Sequence, residues 1–325
     1  MTRFLIDNLQ YCNWSEKIFR QLRESKVDAV HVTVVYHQGF RDMITNLESW
    51  NRYFEKYAKY IVRGTNGDHV RQAKQQNKTA IFFGLQNPSP IEDDLGLVEI
   101  CHQLGIRFIQ LSYNNQSLLA SGVYEPEDRG LTRFGKEVVN EMNRVGLVID
   151  MSHSGARSTI EAIEHSTRPI AITHANPYFW EPSIRNKSDD VLKELVQSGG
   201  MLGFSLYPNH LKNGSNCSLA DFCQMVAETV SRYGIENFGI GSDLCQDQPD
   251  EVVGWMRFGL WSKNPFQGSE NTPTFPPMPN WFRDNRDWEN IRTGLQSVGF
   301  SEQEIAKIMG ENWLQFYDMS FGPAL

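Results

Sequence analysis

Eight short runs of apolar and β-branched residues recur along the chain: Phe4–Asp7, Val27–Val35, Thr79–Leu85, Ile106–Ser112, Gly146–Ser152, Pro169–Thr173, Gly200–Leu206 and Asn237–Ser242. Most lack strict polar–apolar alternation, the pattern of strands buried on both faces. Between several of them the apolar spacing turns helical, over 46–60, 95–104, 135–144, 156–165, 189–197 and 219–233. The segment 189–197 opens on Asp189 and Asp190, acids suited to a helix N-terminus. Strand and helix in alternation through eight rounds predict an α/β chain closed into a (β/α)8 TIM barrel. A doubly wound open sheet is the rival; it uses fewer strands, and no Gly-x-Gly-x-x-Gly follows the first run. A last helix is expected from Ser301 to Met309, with Ser301 and Glu304 spaced as a capping box.

Two stretches break the rhythm. Residues 114–134 follow the fourth run, and residues 244–288 follow the eighth. The second carries six prolines and four tryptophans, at 255, 261, 281 and 288. Connections this long usually carry a function or an interface, so this insertion could cover the barrel mouth or bury a subunit contact; a packed surface excursion with neither role is the alternative. The whole of 1–325 reads as one barrel domain that includes it.

Composition narrows the function classes. With 40 % hydrophobic and 22 % charged residues, the 325-residue chain is globular. No apolar run reaches the length of a membrane span, and the opening Met1-Thr2-Arg3-Phe4 lacks the apolar stretch of a signal peptide. A net charge of −8 without a basic stripe argues against nucleic acid as a partner. Five cysteines without a CxxC pair read as reduced thiols of a cytoplasmic protein, with Cys217/Cys223 the one disulfide candidate.

In a (β/α)8 barrel, chemistry sits where the strands run into their C-terminal loops. Those positions are Asp7, Thr33, Gln86, Tyr113, His153, His174, Tyr207 and Asp243. His153, His174 and Asp243 would meet at one mouth, and two imidazoles with a carboxylate suit a divalent metal. Hydrogen-bonded barrel-end histidines without metal are the plainer alternative. Arg185-Asn186, in the loop after the sixth run, could grip a substrate carboxylate or pair with a nearby acid. Asp150 could orient a ligand or pair at the barrel end. His31 and His37 are expected in core or rim packing, and His69, His102, His165 and His210 at the surface.

Several blocks resemble the membrane dipeptidase family, peptidase family M19. They are Gly130-Leu-Thr-Arg-Phe-Gly-Lys-Glu-Val-Val139, Glu141-Met-Asn-Arg-Val-Gly-Leu-Val-Ile-Asp-Met-Ser-His153 and Ile172-Thr-His-Ala-Asn176. Arg185-Asn-Lys-Ser-Asp-Asp190, Gly239-Ile-Gly-Ser-Asp243 and Gly310-Glu-Asn-Trp-Leu314 continue the series in the family's order. The resemblance implies a metal-dependent, hydrolase-like barrel acting on dipeptides, with two zinc ions bridged by a glutamate, and a homodimer. It places His153 and His174 on one zinc, Arg185 on the substrate carboxylate and Asp243 beside the nucleophilic water. Asn186 and Tyr207 join Arg185 as substrate-binding candidates.

The sequence departs from the family at the other zinc. The family's Asp-Gly-His-Asn-Asp stretch is here Asp7-Asn-Leu-Gln-Tyr11, so Leu9 and Tyr11 stand where two ligands are expected. The bridging glutamate falls on Gln86, and the oxyanion histidine on Tyr113, which still has a hydroxyl to donate. What remains is His153, His174 and Gln86, enough for one zinc at most. Three readings follow: a mononuclear zinc hydrolase of a carboxylate-bearing dipeptide or small amide, a metal-free enzyme on a similar molecule, or a binding protein without turnover.

Overall fold

The computed structural model describes residues 4–258 and 274–322; Met1 to Arg3, and Trp261, Pro265 and Pro273 of the insertion, lie outside the described residues. Nine strands form among the described residues: β1 (Ile6–Gln10), β2 (Ala29–Val35), β3 (Ile61–Arg63), β4 (Thr79–Leu85), β5 (Ile106–Gln110), β6 (Val148–Asp150), β7 (Ala171–Ala175), β8 (Met201–Phe204) and β9 (Phe238–Ile240). Every ladder is parallel, and β1 pairs with both β2 and β9. β1, β2 and β4–β9 therefore close an eight-stranded barrel with helices outside, and all eight expected runs supply a strand.

β3 was not expected. It pairs with the start of β4 through Ile61↔Thr79 and Arg63↔Ile81, below the point where β5 joins β4 at Phe83. Three residues are too few for a hydrophobic period to register. The helices Ala156–His165, Asp189–Gln197 and Leu219–Tyr233 fall where the spacing puts them. The expected 46–60 helix instead spans Phe40–Lys56, because Met43, Leu47 and Trp50 form its buried face. Glu16–Glu24 and Gly67–Gln75, whose buried stripes are narrow, were not anticipated. Ser301 and Glu304 do form a capping box, but the helix they start ends at Ala306, and the chain turns through 307–311 into a further helix, Asn312–Ser320.

That last helix closes the barrel floor. Ile6, Ala29, Phe82, Phe108, Val148 and Met201 point inward from the strand starts and pack on Trp313, Phe316 and Tyr317. A larger apolar layer fills the space between strands and outer helices. All the buried charge lies above this floor or at its rim, so the apolar end holds the fold and the polar end is left for chemistry. All five cysteines are buried free thiols, so Cys217 and Cys223 are not bridged. Among the described residues no helix is long and apolar enough to cross a membrane.

The Gly-Ile-Gly-Ser-Asp block follows from packing. A Cβ on Gly239 would lie 2.3 Å from Trp313 Nε1, and one on Gly241 would lie 1.7 Å from the Thr173 carbonyl oxygen. Both glycines let β9 approach its neighbours and deliver Asp243 to the mouth. Gly241→Ala is expected to destabilise the protein by about 1–3 kcal/mol, read as a lower urea midpoint. An unchanged midpoint would mean that β7 and β9 separate at no cost.

Candidate active site

The site is built on Asp150 at the end of β6. Its fully buried carboxylate accepts from Ser152 N at 3.0 Å, Ser152 Oγ at 2.5 Å, Thr173 N at 3.2 Å and Thr173 Oγ1 at 2.6 Å. Burial pushes its carboxyl above the usual range, and the four donors pull it back. Since the Thr173 hydroxyl donates to Asp150, its oxygen is left to accept from His174 Nδ1 at 2.8 Å. His153 Nδ1 donates to Asn114 Oδ1 at 2.6 Å. Both imidazoles thus spend Nδ1–H on the scaffold, and their Nε2 atoms face each other at 2.9 Å. Two lone pairs at that distance repel unless a proton or a metal ion lies between them. Burial and the Arg185 cation hold both rings well below the usual histidine range, which disfavours the shared proton.

The turn that carries His153 is clamped from behind. Lys187 is buried and donates to Met151 O at 2.9 Å and Ser154 O at 3.0 Å, the carbonyls that bracket the histidine. The Tyr113 ring stacks on His153 with centroids 4.2 Å apart.

A cavity of about 70 Å³ opens over these groups, lined among others by Gln86, Tyr113, His153, Arg185, Tyr207 and Asp243. Arg185 is 7 % exposed, and among the described residues its buried Nε and Nη2 have no hydrogen-bond partner. A guanidinium so placed is costly unless an anion joins it. Asp243 takes left-handed backbone (φ 59°), and its N–H donates to Leu9 O at 3.0 Å. Burial raises its carboxyl from 3.8 to about 7, although Arg185 pulls the other way. Gln86 donates its amide N–H to Thr33 Oγ1 at 2.8 Å, which leaves its side-chain oxygen as the free end. The insertion reaches the mouth through Val253, Met256 and Phe275, which line the same cavity.

The first strand offers no ligand set. Leu9 is fully buried apolar surface, and the Tyr11 phenol, at the cavity wall, is pushed well above its usual value by burial. Asp7 accepts from Ser242 and from Gln10 Nε2, so it is committed to joining β1 and β9. Among the described residues no group of three His, Cys, Asp or Glu side chains is placed to hold a metal ion. His153 and His174, with the neutral Gln86, fit one ion in which water completes the shell; they do not fit two.

Asn186 does not line the cavity. Its amide is spent on Asn176 N, Glu181 O and His210 O. His210, expected at the surface, is 2 % exposed and lines the cavity. It follows β8 by six residues in a loop whose inward turn no hydrophobic period marks. Asn114 and Lys187 were also missed. Each neighbours a residue that was singled out, and adjacency was the only signal available.

A closed parallel barrel with this constellation at its C-terminal mouth places the chain among the amidohydrolase-like barrels. Residues 13–258 match the family described as "Membrane dipeptidase (Peptidase family M19)", and the chain belongs to that family. It is 25 % identical over 288 residues to dipeptidase tcpJ of Claviceps purpurea, covering 88 % of this chain and 60 % of that relative. An amidohydrolase structure from Pseudomonas aeruginosa superposes with a TM-score of 0.92 at 30 % identity, over 98 % of this chain and 97 % of that one. A metallopeptidase structure from Rhodobacter sphaeroides, bound to a phosphinate mimic of L-Ala-D-Ala, shares the fold alone. It matches at a TM-score of 0.81 and 14 % identity, over 98 % of this chain and 100 % of that one.

Asp243 holds its proton more tightly in the folded chain than at its ordinary value of 3.8. Its contribution therefore favours folding below pH 3.8 and is lost as the pH rises through about 7. Asp243→Asn, neutral throughout, is expected to raise the melting temperature of chelator-treated protein at pH 8 and to leave it near wild type at pH 4. A lower melting temperature at pH 8 would mean that attraction to Arg185 outweighs the desolvation of Asp243.

Proposed function

We propose that the protein is a hydrolase of small, carboxylate-bearing amides of the dipeptide class, working with one zinc ion rather than two. The observation that carries this is the buried, unpartnered Arg185 guanidinium in the same cavity as His153 and Asp243. Arg185 receives the substrate carboxylate in a bidentate grip. His153 and His174 would hold the ion, with the Gln86 oxygen available as a third, weaker donor. Zinc bound there supplies carbonyl polarisation and a more acidic water. Asp243, titrating at about 7, takes the proton of the attacking water. Tyr113 stays protonated because burial raises its phenol, so it can donate to the developing oxyanion. Tyr207 shapes the pocket wall, and Asn186 sets the loop that carries Arg185.

The cavity bounds the substrate. At about 10–15 Å³ per water on this measure, about 70 Å³ admits roughly five waters. That suits the smallest dipeptides and acylated amino acids. One observation favours a second reading, a metal-free enzyme or binding protein on the same scaffold: the strand that should complete the metal site presents Leu9 as core.

Protein purified without chelator is expected to carry about one zinc per chain by elemental analysis. It should turn over a member of a panel of glycyl dipeptides and N-acylglycines. His174→Ala should keep its circular dichroism, lose the zinc and lose the turnover. No zinc after supplementation would sink the hydrolase reading in favour of the second, and two ions per chain would contradict the account of strand β1. In the same panel, Arg185→Met is expected to raise KM for carboxylate substrates by about tenfold or more, and an unchanged KM would remove the carboxylate grip.

A further inference from the structure

His210 is a buried titratable residue of the cavity to which the preceding account gives no role. Its position is over-determined. Its backbone carbonyl accepts from Asn176 Nδ2 at 3.1 Å and from Asn186 Nδ2 at 3.0 Å. Its ring lies against Tyr207, with centroids 5.5 Å apart. Nδ1 is 2.8 Å from Ser205 Oγ. Such rigidity is more than a packing role in a loop requires.

The hydrogen-bond pattern around Ser205 fixes the ring's tautomer. Ser205 Oγ accepts from Tyr207 N at 3.2 Å. Ser205 N and O are both taken up by the Asn176 amide. Among the described residues the one acceptor in contact with the Ser205 hydroxyl proton is His210 Nδ1. The hydroxyl therefore donates to Nδ1, and the proton of the neutral imidazole sits on Nε2. Burial and the neighbouring Arg185 and Lys187 cations hold the ring well below the usual histidine range, so it stays neutral. This is the reverse of His153 and His174, whose Nδ1 atoms donate and whose Nε2 atoms accept.

Arg185 and His210 line the same cavity as His153, whose Nε2 carries a lone pair. The mouth is thus divided. One side offers lone pairs, and the other offers N–H donors from Arg185 and His210.

We propose that His210 Nε2–H is the second donor of the Arg185 subsite, so that a substrate carboxylate is held by two loops, those after β7 and β8. This rests on the reading that Arg185 binds a carboxylate. The second donor makes the subsite selective for carboxylate over a neutral amide. The two grips are coupled through Asn186, whose side chain holds the His210 carbonyl and whose backbone adjoins Arg185.

The test uses propionate and its uncharged isostere propionamide as probes, with affinity read by calorimetry. Wild-type protein should prefer propionate. His210→Phe should weaken propionate about tenfold and leave propionamide unchanged. His210→Gln, which returns an N–H at the reach of Nε2, should stay within about threefold of wild type. Nitrogen-15 NMR of histidine-labelled protein, with the His210 signal assigned from the His210→Gln variant, should show the proton on Nε2. That last readout needs neither ligand nor the phenylalanine variant. A proton on Nδ1, or undiminished propionate binding by His210→Phe, would overturn the proposal while leaving Arg185 in place. A wild-type protein that does not prefer propionate would overturn the carboxylate reading and this proposal with it.

Discussion

One buried carboxylate sets the geometry at the barrel mouth. Asp150 takes two donors from its own strand end and two from β7. Three of these donors fall on Oδ1, and Oδ2 accepts the Thr173 hydroxyl; that hydroxyl is thereby fixed, and Thr173 in turn fixes which nitrogen of His174 carries the proton. The end of β6 is fixed at the same time, and the turn bearing His153 leaves from there. A single charge therefore orients two imidazoles on adjacent strands without touching either. Such an arrangement is affordable only in a closed barrel, where β6 and β7 have no freedom to slide. The floor of Trp313, Phe316 and Tyr317 supplies that rigidity from the opposite end.

The positive groups complement this. Lys187 and Arg185 sit two residues apart but do opposite things. Lys187 donates to two backbone carbonyls and is finished as a structural element; burial and Arg185 lower it from 10.5 to about 7. Arg185 leaves two of its nitrogens bare inside the protein. Desolvating a cation without a partner costs several kcal/mol, so the folded state keeps an unmet demand for negative charge at the mouth. Asp243 meets it only in part, because its own burial leaves it close to half protonated near neutral pH. On the proposed reading, an incoming carboxylate would satisfy Arg185, weaken its pull on Asp243 and so raise that carboxyl further, linking binding to the basicity of Asp243 electrostatically.

Much of this was legible in the sequence, and the limits are physical. Doubly buried strands announce themselves as uninterrupted apolar runs, so eight of the nine were readable; β3, at three residues, carries no period. Strand ends in a barrel converge by topology, which is why His153, His174, Gln86, Tyr113 and Asp243 could be grouped before any coordinates. Loops have no such rule. Tyr207, a strand-end position, lines the cavity, whereas Asn186, chosen as the loop neighbour of Arg185, is bound into the loop scaffold. His210 looked like surface because a 3₁₀ turn at Pro208–His210 folds it inward, and nothing in residue type foretells that turn's direction.

The same logic explains how the histidine pair keeps its geometry while β1 offers no ligand set. A metal position survives the loss of its neighbour only if its ligands are oriented by something other than the neighbour. His153 and His174 are oriented by Asn114, Thr173 and Asp150, all on their own side of the barrel. Nothing in that set reaches strand β1. On the other side, Leu9 and Tyr11 have been absorbed into packing, Leu9 within the core and Tyr11 edge-on to Tyr36 at 6.2 Å. Asp7, the one acid left there, is bound into the seam between β1 and β9. Restoring only one of the two ligands would bury a polar group without its ion, which costs more than the present apolar contact. The two positions are therefore retained or lost together, and the surviving pair keeps its shape because its support never depended on them.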